Sequence, residues 1–211
     1  MPRVAANDIE ESFREFGRLR GLFDAGGHSV EALTPLLARA EGAALRPAVR
    51  GPLAGGGEAV LGRLRYGVSH AAWAASDAHF ESLVAITRVP ESEPIVSRLF
   101  CRRRGRVEAI SGMGFELDHE VVRMESIAFT ERYEITAGPY EDTNWIRQLF
   151  AADFIHWLLQ EPPPTFSFEL AYGDLVGSAE VAEPEPDDLA VLWDTTEAVA
   201  KRIRLACREY R

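Results

Sequence analysis

"HFESLVAITRV", His79 to Val89, decides the fold class. Phe80, Val84 and Ile86 fall on one side of an extended chain, and Leu83, Ala85 and Val89 on the other. That period of two is a strand's. Outward from it the pattern repeats in "AVLGRLRYGV" (59–68), "PIVSRLFCRR" (94–103), "RVEAIS" (106–111), "HEVVRMES" (119–126) and "FTERYEIT" (129–136). In the last, Phe129, Tyr133 and Ile135 share a face. Successive strands with short links predict an antiparallel meander. "FSFELAYGDLVGSAEV" reads as a hairpin turning at Gly173-Asp174. That register pairs Leu170 with Gly177 and Phe168 with Ala179, large against small, as a helix packed over the face requires.

The flanks are helical. "NDIEESFREFGRLRGLF" repeats Ile9, Phe13, Phe16, Leu19 and Phe23 at helical spacing, with Asn7 as cap. "TPLLARAEG" begins with Thr34 as cap and Pro35 in the first helical position. "DTNWIRQLFAADFIHWLLQEPPP" predicts one central helix, 143–160, capped by Asp142 or Thr143 and stopped by Pro162 to Pro164. The final helix, 186–210, carries Leu189, Leu192, Thr196, Val199, Ile203, Ala206 and Tyr210 as one stripe. Its acids come early and its bases late, which suits the helix dipole. Together these predict one α+β domain over 1–211. A helical segment (1–45) precedes a sheet core (46–182) of six to eight largely antiparallel strands, and helices pack on it.

Composition removes several function classes. A chain of 211 residues that is 46% hydrophobic and 27% charged is globular. Its net charge of −10 opposes general nucleic-acid binding. Cys101 and Cys207 form no disulfide framework or zinc cluster, and both read as buried apolar residues in a reducing compartment. The N-terminus has no apolar signal segment, and no apolar run is long enough for a transmembrane helix. The expected location is the cytoplasm. No cofactor motif is found: the glycine-rich "PLAGGGEAVLG" (52–62) lacks a P-loop's Gly-Lys-Ser/Thr and precedes a strand.

Three constellations carry candidate chemistry. Through "DFIHWLLQ" (153–160) and the turns before it, Trp145, Leu149, Asp153, His156 and Gln160 fall in one arc of the predicted helix. Asp153 could orient His156 as a base, with Glu125 nearby. The same stripe could equally be a solvent window or a buried network. Glu116, Asp118 and Glu120 share one face of an extended chain and could hold a hard cation, although a solvated face is the plainer reading. Arg102, Arg103, Arg104 and Arg106 form the one dense basic patch, suited to an anion or to a charged turn.

Glu125, Ser126, Phe129, Tyr133 and Ile135, then Leu149 to Leu159, then Phe166 to Leu175, follow a recognisable order: E-S-x-x-F-x-x-x-Y-x-V, an aromatic helix, an aromatic hairpin. In this the chain resembles a bacterial domain-of-unknown-function family of uncharacterised proteins, over roughly 46–182 and most strongly over 124–177. The resemblance implies no activity or site residues. Some relatives are tethered by N-terminal helices, which are not read here. The leading function is a non-enzymatic protein that binds or regulates a partner, with a homo-oligomer as one form of it. The alternatives are a hydrolase-like enzyme using Asp153 and His156, and anion or nucleic-acid binding through Arg102 to Arg106.

Overall fold

The computed structural model describes residues 6–29, 31, 34–38, 44–68, 78–104 and 119–210. Helix α1 (Ala6–Arg20) leads into two-residue strands β1 (Phe23–Asp24) and β2 (His28–Ser29). The turn α2 (Pro35–Ala38) precedes β3 (Ala44–Leu45), β4 (Ala48–Pro52), β5 (Glu58–Val68) and β6 (Ala78–Arg88). A 3-10 turn, Pro90–Ser92, leads to β7 (Arg98–Arg103). Then come β8 (Glu120–Val121), α3 (Ile127–Arg132), β9 (Tyr133–Ala137), α4 (Thr143–Leu149) and α5 (Ala152–Gln160). The hairpin β10 (Ser167–Ala171) and β11 (Asp174–Ala179) precedes the long α6 (Pro186–Glu209).

The α+β class holds. The main sheet has nine strands in the order β1-β4-β5-β6-β11-β10-β7-β9-β8, and β2 and β3 form a separate ribbon. Each pairing is antiparallel. The count exceeds eight because two-residue segments, β1 and β8, pair at the two edges. The arrangement is not a plain meander. The chain from β6 to β7 leaves a gap two strands wide, and the β10–β11 hairpin fills it. Backbone bonds from Val89 to Gly173 and from Tyr172 to Ser97 fix the hairpin turn in that gap.

Four local expectations need correction. The hairpin turns at Tyr172-Gly173, where both residues have positive φ (51° and 82°), so Leu170 pairs with Leu175 and Phe168 with Gly177. Residues 127–132 are helical, because Ser126 caps them by accepting the Phe129 N–H at 3.3 Å. Of 119–126 only Glu120 and Val121 are strand, and 106–111 lies outside the described residues. The central helix is two helices broken at Phe150–Ala151, where Ala151 is extended (φ −64°, ψ 164°). The break lets the Phe150 ring turn inward among Phe129, Phe154 and Phe168, with centroids 5.7 to 6.2 Å away. The Asp142 and Thr34 caps fall as expected, accepting from Asn144 N–H at 2.8 Å and Leu37 N–H at 3.3 Å. Helix α1, however, begins at Ala6, so Asn7 lies inside it, and Phe23 leaves its stripe for β1.

The core follows from strand register. Val49, Leu61, Ala85, Gly177, Phe168, Cys101 and Ile135 form one buried row across seven strands. Helix α6 lies on this face through Leu192, Thr196, Val199 and Ile203. A smaller cluster of Leu36, Leu37, Leu45, Leu64, Val84 and Val176 covers the opposite face. Glu169, opposite Val176, is buried there at 4% exposure. It accepts Leu36 N–H at 2.9 Å and pairs with Arg102 at 2.9 Å.

Candidate functional site

The break after α4 divides the predicted polar arc. Trp145 and Leu149 belong to α4 and are fully buried, whereas Asp153, His156 and Gln160 belong to α5 and are exposed. Phe154 and Leu158 supply α5's buried side. The stripe is therefore a solvent window. Asp153 is occupied: its carboxylate accepts from Arg202 Nη1 at 3.2 Å and Nη2 at 3.3 Å. Arg202 also donates to the carbonyls of Leu149 (3.2 Å) and Gln148 (3.4 Å), which α4 leaves open at its end. Asp153 thus steadies an arginine that closes α4 and ties it to α6. Among the described residues no hydrogen bond or ion pair joins Asp153 to His156.

His156 instead lines a cleft of about 670 Å³ between the Arg123–Ser126 link and helices α4 and α5. Met124, Phe150, Ile155 and Leu159 supply its apolar lining, and Arg123, Glu125, Arg147 and His156 its polar groups. All four polar side chains are exposed, and none is bonded to another described residue. Glu125 and His156 therefore meet in one cleft. The Ser126 oxygen beside them already accepts the Phe129 N–H. Ile127, directly after Ser126 of this lining, is 75% exposed, a large value for such a side chain. Sequence patterns gave no sign of Arg123, Met124 or Arg147: each alone looks like a link or helix-surface residue, and only the turn of the chain at α3 and β9 gathers them.

The basic patch is largely spent within the fold. Arg102 pairs with buried Glu169, and its guanidinium lies 5.0 Å from the Phe100 ring centroid. Arg103 lies over the Tyr133 ring at 5.5 Å. Arg104 pairs with Glu134 at 3.0 Å. Arg106 lies outside the described residues, as do Glu116 and Asp118 of the acidic trio. Glu120 is exposed on the edge strand β8, and the described residues contain no cluster able to hold a metal. Cys101 sits in the core row, where burial pushes its thiol well above the usual range; Cys207 is buried too.

The class these features define is an α+β fold built on one large antiparallel sheet, with a long C-terminal helix across one face. The crystal structure of the mycobacterial trehalose monomycolate transport factor A, TtfA, is similar, with a TM-score of 0.60 at 8% sequence identity. The match covers 95% of this chain and 94% of that one, so the likeness extends through the whole fold. No family model and no curated protein matches the chain. Among the described residues, no helix is long and apolar enough to cross a membrane.

Proposed function

We propose that this chain is a non-enzymatic protein that binds or regulates a protein partner, and that the cleft beside His156 is its contact surface. One observation carries the reading. Arg123 and Arg147, without a bonded partner among the described residues, flank apolar surface that ends at exposed Ile127. Arginine around a desolvated apolar centre is the usual composition of an interface. The matching partner segment carries a carboxylate next to an apolar side chain. Catalysis is less favoured, because Arg202 holds Asp153 and both thiols are buried. A non-catalytic role is in keeping with TtfA being a transport factor, by analogy of fold alone. The family resemblance and a cytoplasmic setting belong to the same proposal.

A photo-crosslinking side chain at position 127 tests it in cells. We expect one discrete protein adduct, lost on Arg147→Glu with the thermal midpoint unchanged. Adducts indistinguishable from those of the same probe at Tyr172, on the far hairpin turn, sink the idea. The hydrolase-like alternative, now resting on His156 with Glu125, is favoured by their shared cleft. Turnover of an ester or phosphoester panel that disappears in folded His156→Ala selects it instead.

A further inference from the structure

A second cleft, independent of the first, lies between α1 and the β1-β4-β5 end of the sheet and has a volume of about 720 Å³. That is the size of a small-molecule site, which usually spans roughly 300–1,000 Å³. Ile9, Phe13, Leu22 and Val49 form its apolar floor. Gly17 of α1 faces this floor, 3.4 Å from Val49 Cγ1 at the position a Cβ would take. Arginines line the rest: Arg14 and Arg18 from one edge of α1, Arg46 from the link before β4, and Arg63 and Arg65 from β5. Among the described residues only two carboxylates, Glu10 and Asp24, line it with them, in a chain whose net charge is −10.

The pairing within that lining decides what is free. Arg14 is bonded to Glu11, and Arg63 and Arg65 share Glu81. Asp24 folds back on its own turn by accepting Gly26 N–H at 2.8 Å. Arg18 and Arg46 have no carboxylate partner among the described residues, and both are exposed. Arg46 also has a built seat. Its Nε would lie 2.6 Å from a Cβ on Gly27, whose φ of 98° already favours glycine, so the bare backbone there is what accommodates the guanidinium.

We propose that this groove binds a small organic anion: a phosphate or carboxylate carried on an apolar body. The two uncommitted guanidiniums, reinforced by the paired ones behind them, take the charged head. The floor of Ile9, Phe13, Leu22 and Val49 takes the body. A long polyanion is disfavoured, because the acidic remainder of the molecule repels phosphates beyond the groove. The site does not depend on the partner cleft and stands or falls alone.

Calorimetric titration of the full chain at low salt tests it, with octyl phosphate below its aggregation concentration, inorganic phosphate and octyl glucoside as probes. Octyl phosphate binds best, and inorganic phosphate, lacking the body, binds at least about tenfold more weakly. Arg18→Gln with Arg46→Gln weakens octyl phosphate by about tenfold or more, the loss expected for charged hydrogen bonds. The single variant Arg18→Gln gives part of that loss and serves if the double variant melts early. Unchanged affinity in both variants overturns the assignment, as does equal affinity for octyl glucoside or for inorganic phosphate. Tighter binding of a short oligonucleotide, lost in the same variants, also overturns it and marks a nucleic-acid site.

Discussion

At the scale of single residues, burial separates arginines that look alike in sequence. Arg102 and Arg104 are two positions apart, yet Arg102 faces a carboxylate at 5% side-chain exposure and Arg104 one at 40%. Removing Arg102 strands a buried charge, for which costs run about 3–5 kcal/mol. Removing Arg104 breaks a screened surface pair, worth about 0–1 kcal/mol. Arg102→Ala should therefore sharply lower the denaturation midpoint, and Arg104→Ala should barely move it. Tyr133 gives a pH-dependent counterpart. Burial first, and then the neighbouring Cys101, push its phenol up to about 12, against smaller opposing effects of Arg103 and Arg132. A raised acid pKa stabilises the neutral form in the fold. That contribution is complete below the ordinary tyrosine range near 10 and is lost as pH rises through about 12. In alkaline unfolding, Tyr133→Phe should lose about 1 kcal/mol at neutral pH, from its bond to the Leu158 carbonyl, and should decline less steeply above pH 10. A parallel decline in both proteins contradicts the assignment.

At the scale of elements, the tightest constraint is the crossing of α6 over β11. A Cβ on Gly177 would lie 2.2 Å from Thr196 Oγ1 and 3.3 Å from the Phe166 ring. Gly177→Ala should cost about 1–3 kcal/mol through overpacking. Adding Thr196→Ala should recover part of that loss, and strictly additive losses in the denaturation cycle would show the two sites do not touch. Much of this packing was legible in the sequence: apolar alternation placed β5 and β6, a stripe at helical spacing placed α6, and large-against-small pairing anticipated a helix over the hairpin. The register missed by two because a tyrosine takes a left-handed turn position that glycine usually fills. The α4–α5 break was illegible for a related reason. No glycine or proline marks Phe150–Ala151; an aromatic side chain seeking the core sets the break, and Arg202, from another helix, closes it. The candidate cleft was half legible. His156 and Glu125 stood out as chemistry-bearing residues, but their shared cleft depends on that break and on the Ser126 cap that makes 127–132 helical.

At the scale of the molecule, α6 is where separate parts of the chain become coupled. It packs on β6 and β11 at mid-sheet, on α1 at one side and on α4 at the other. The α1 contact includes Phe16 and Trp193, with ring centroids 6.1 Å apart, and an Arg20–Asp194 pair. The α4 side is held by Arg202 and by Tyr210, whose hydroxyl donates to the Asp142 cap. Both candidate clefts lie next to elements that α6 holds, so neither can keep its shape if α6 leaves. Unfolding should then be one transition. Ile203, fully buried in the C-terminal half of α6, is the place to load that coupling. Ile203→Ala should cost about 2–5 kcal/mol through the cavity it leaves. The loss should appear equally in far-ultraviolet dichroism, in Trp193 fluorescence (the α1 side) and in Trp145 fluorescence (the α4 side), read in variants with the other tryptophans replaced. If Trp145 melts apart from Trp193, the α4–α5 unit folds separately from α6. The partner cleft beside His156 would then belong to that smaller unit alone.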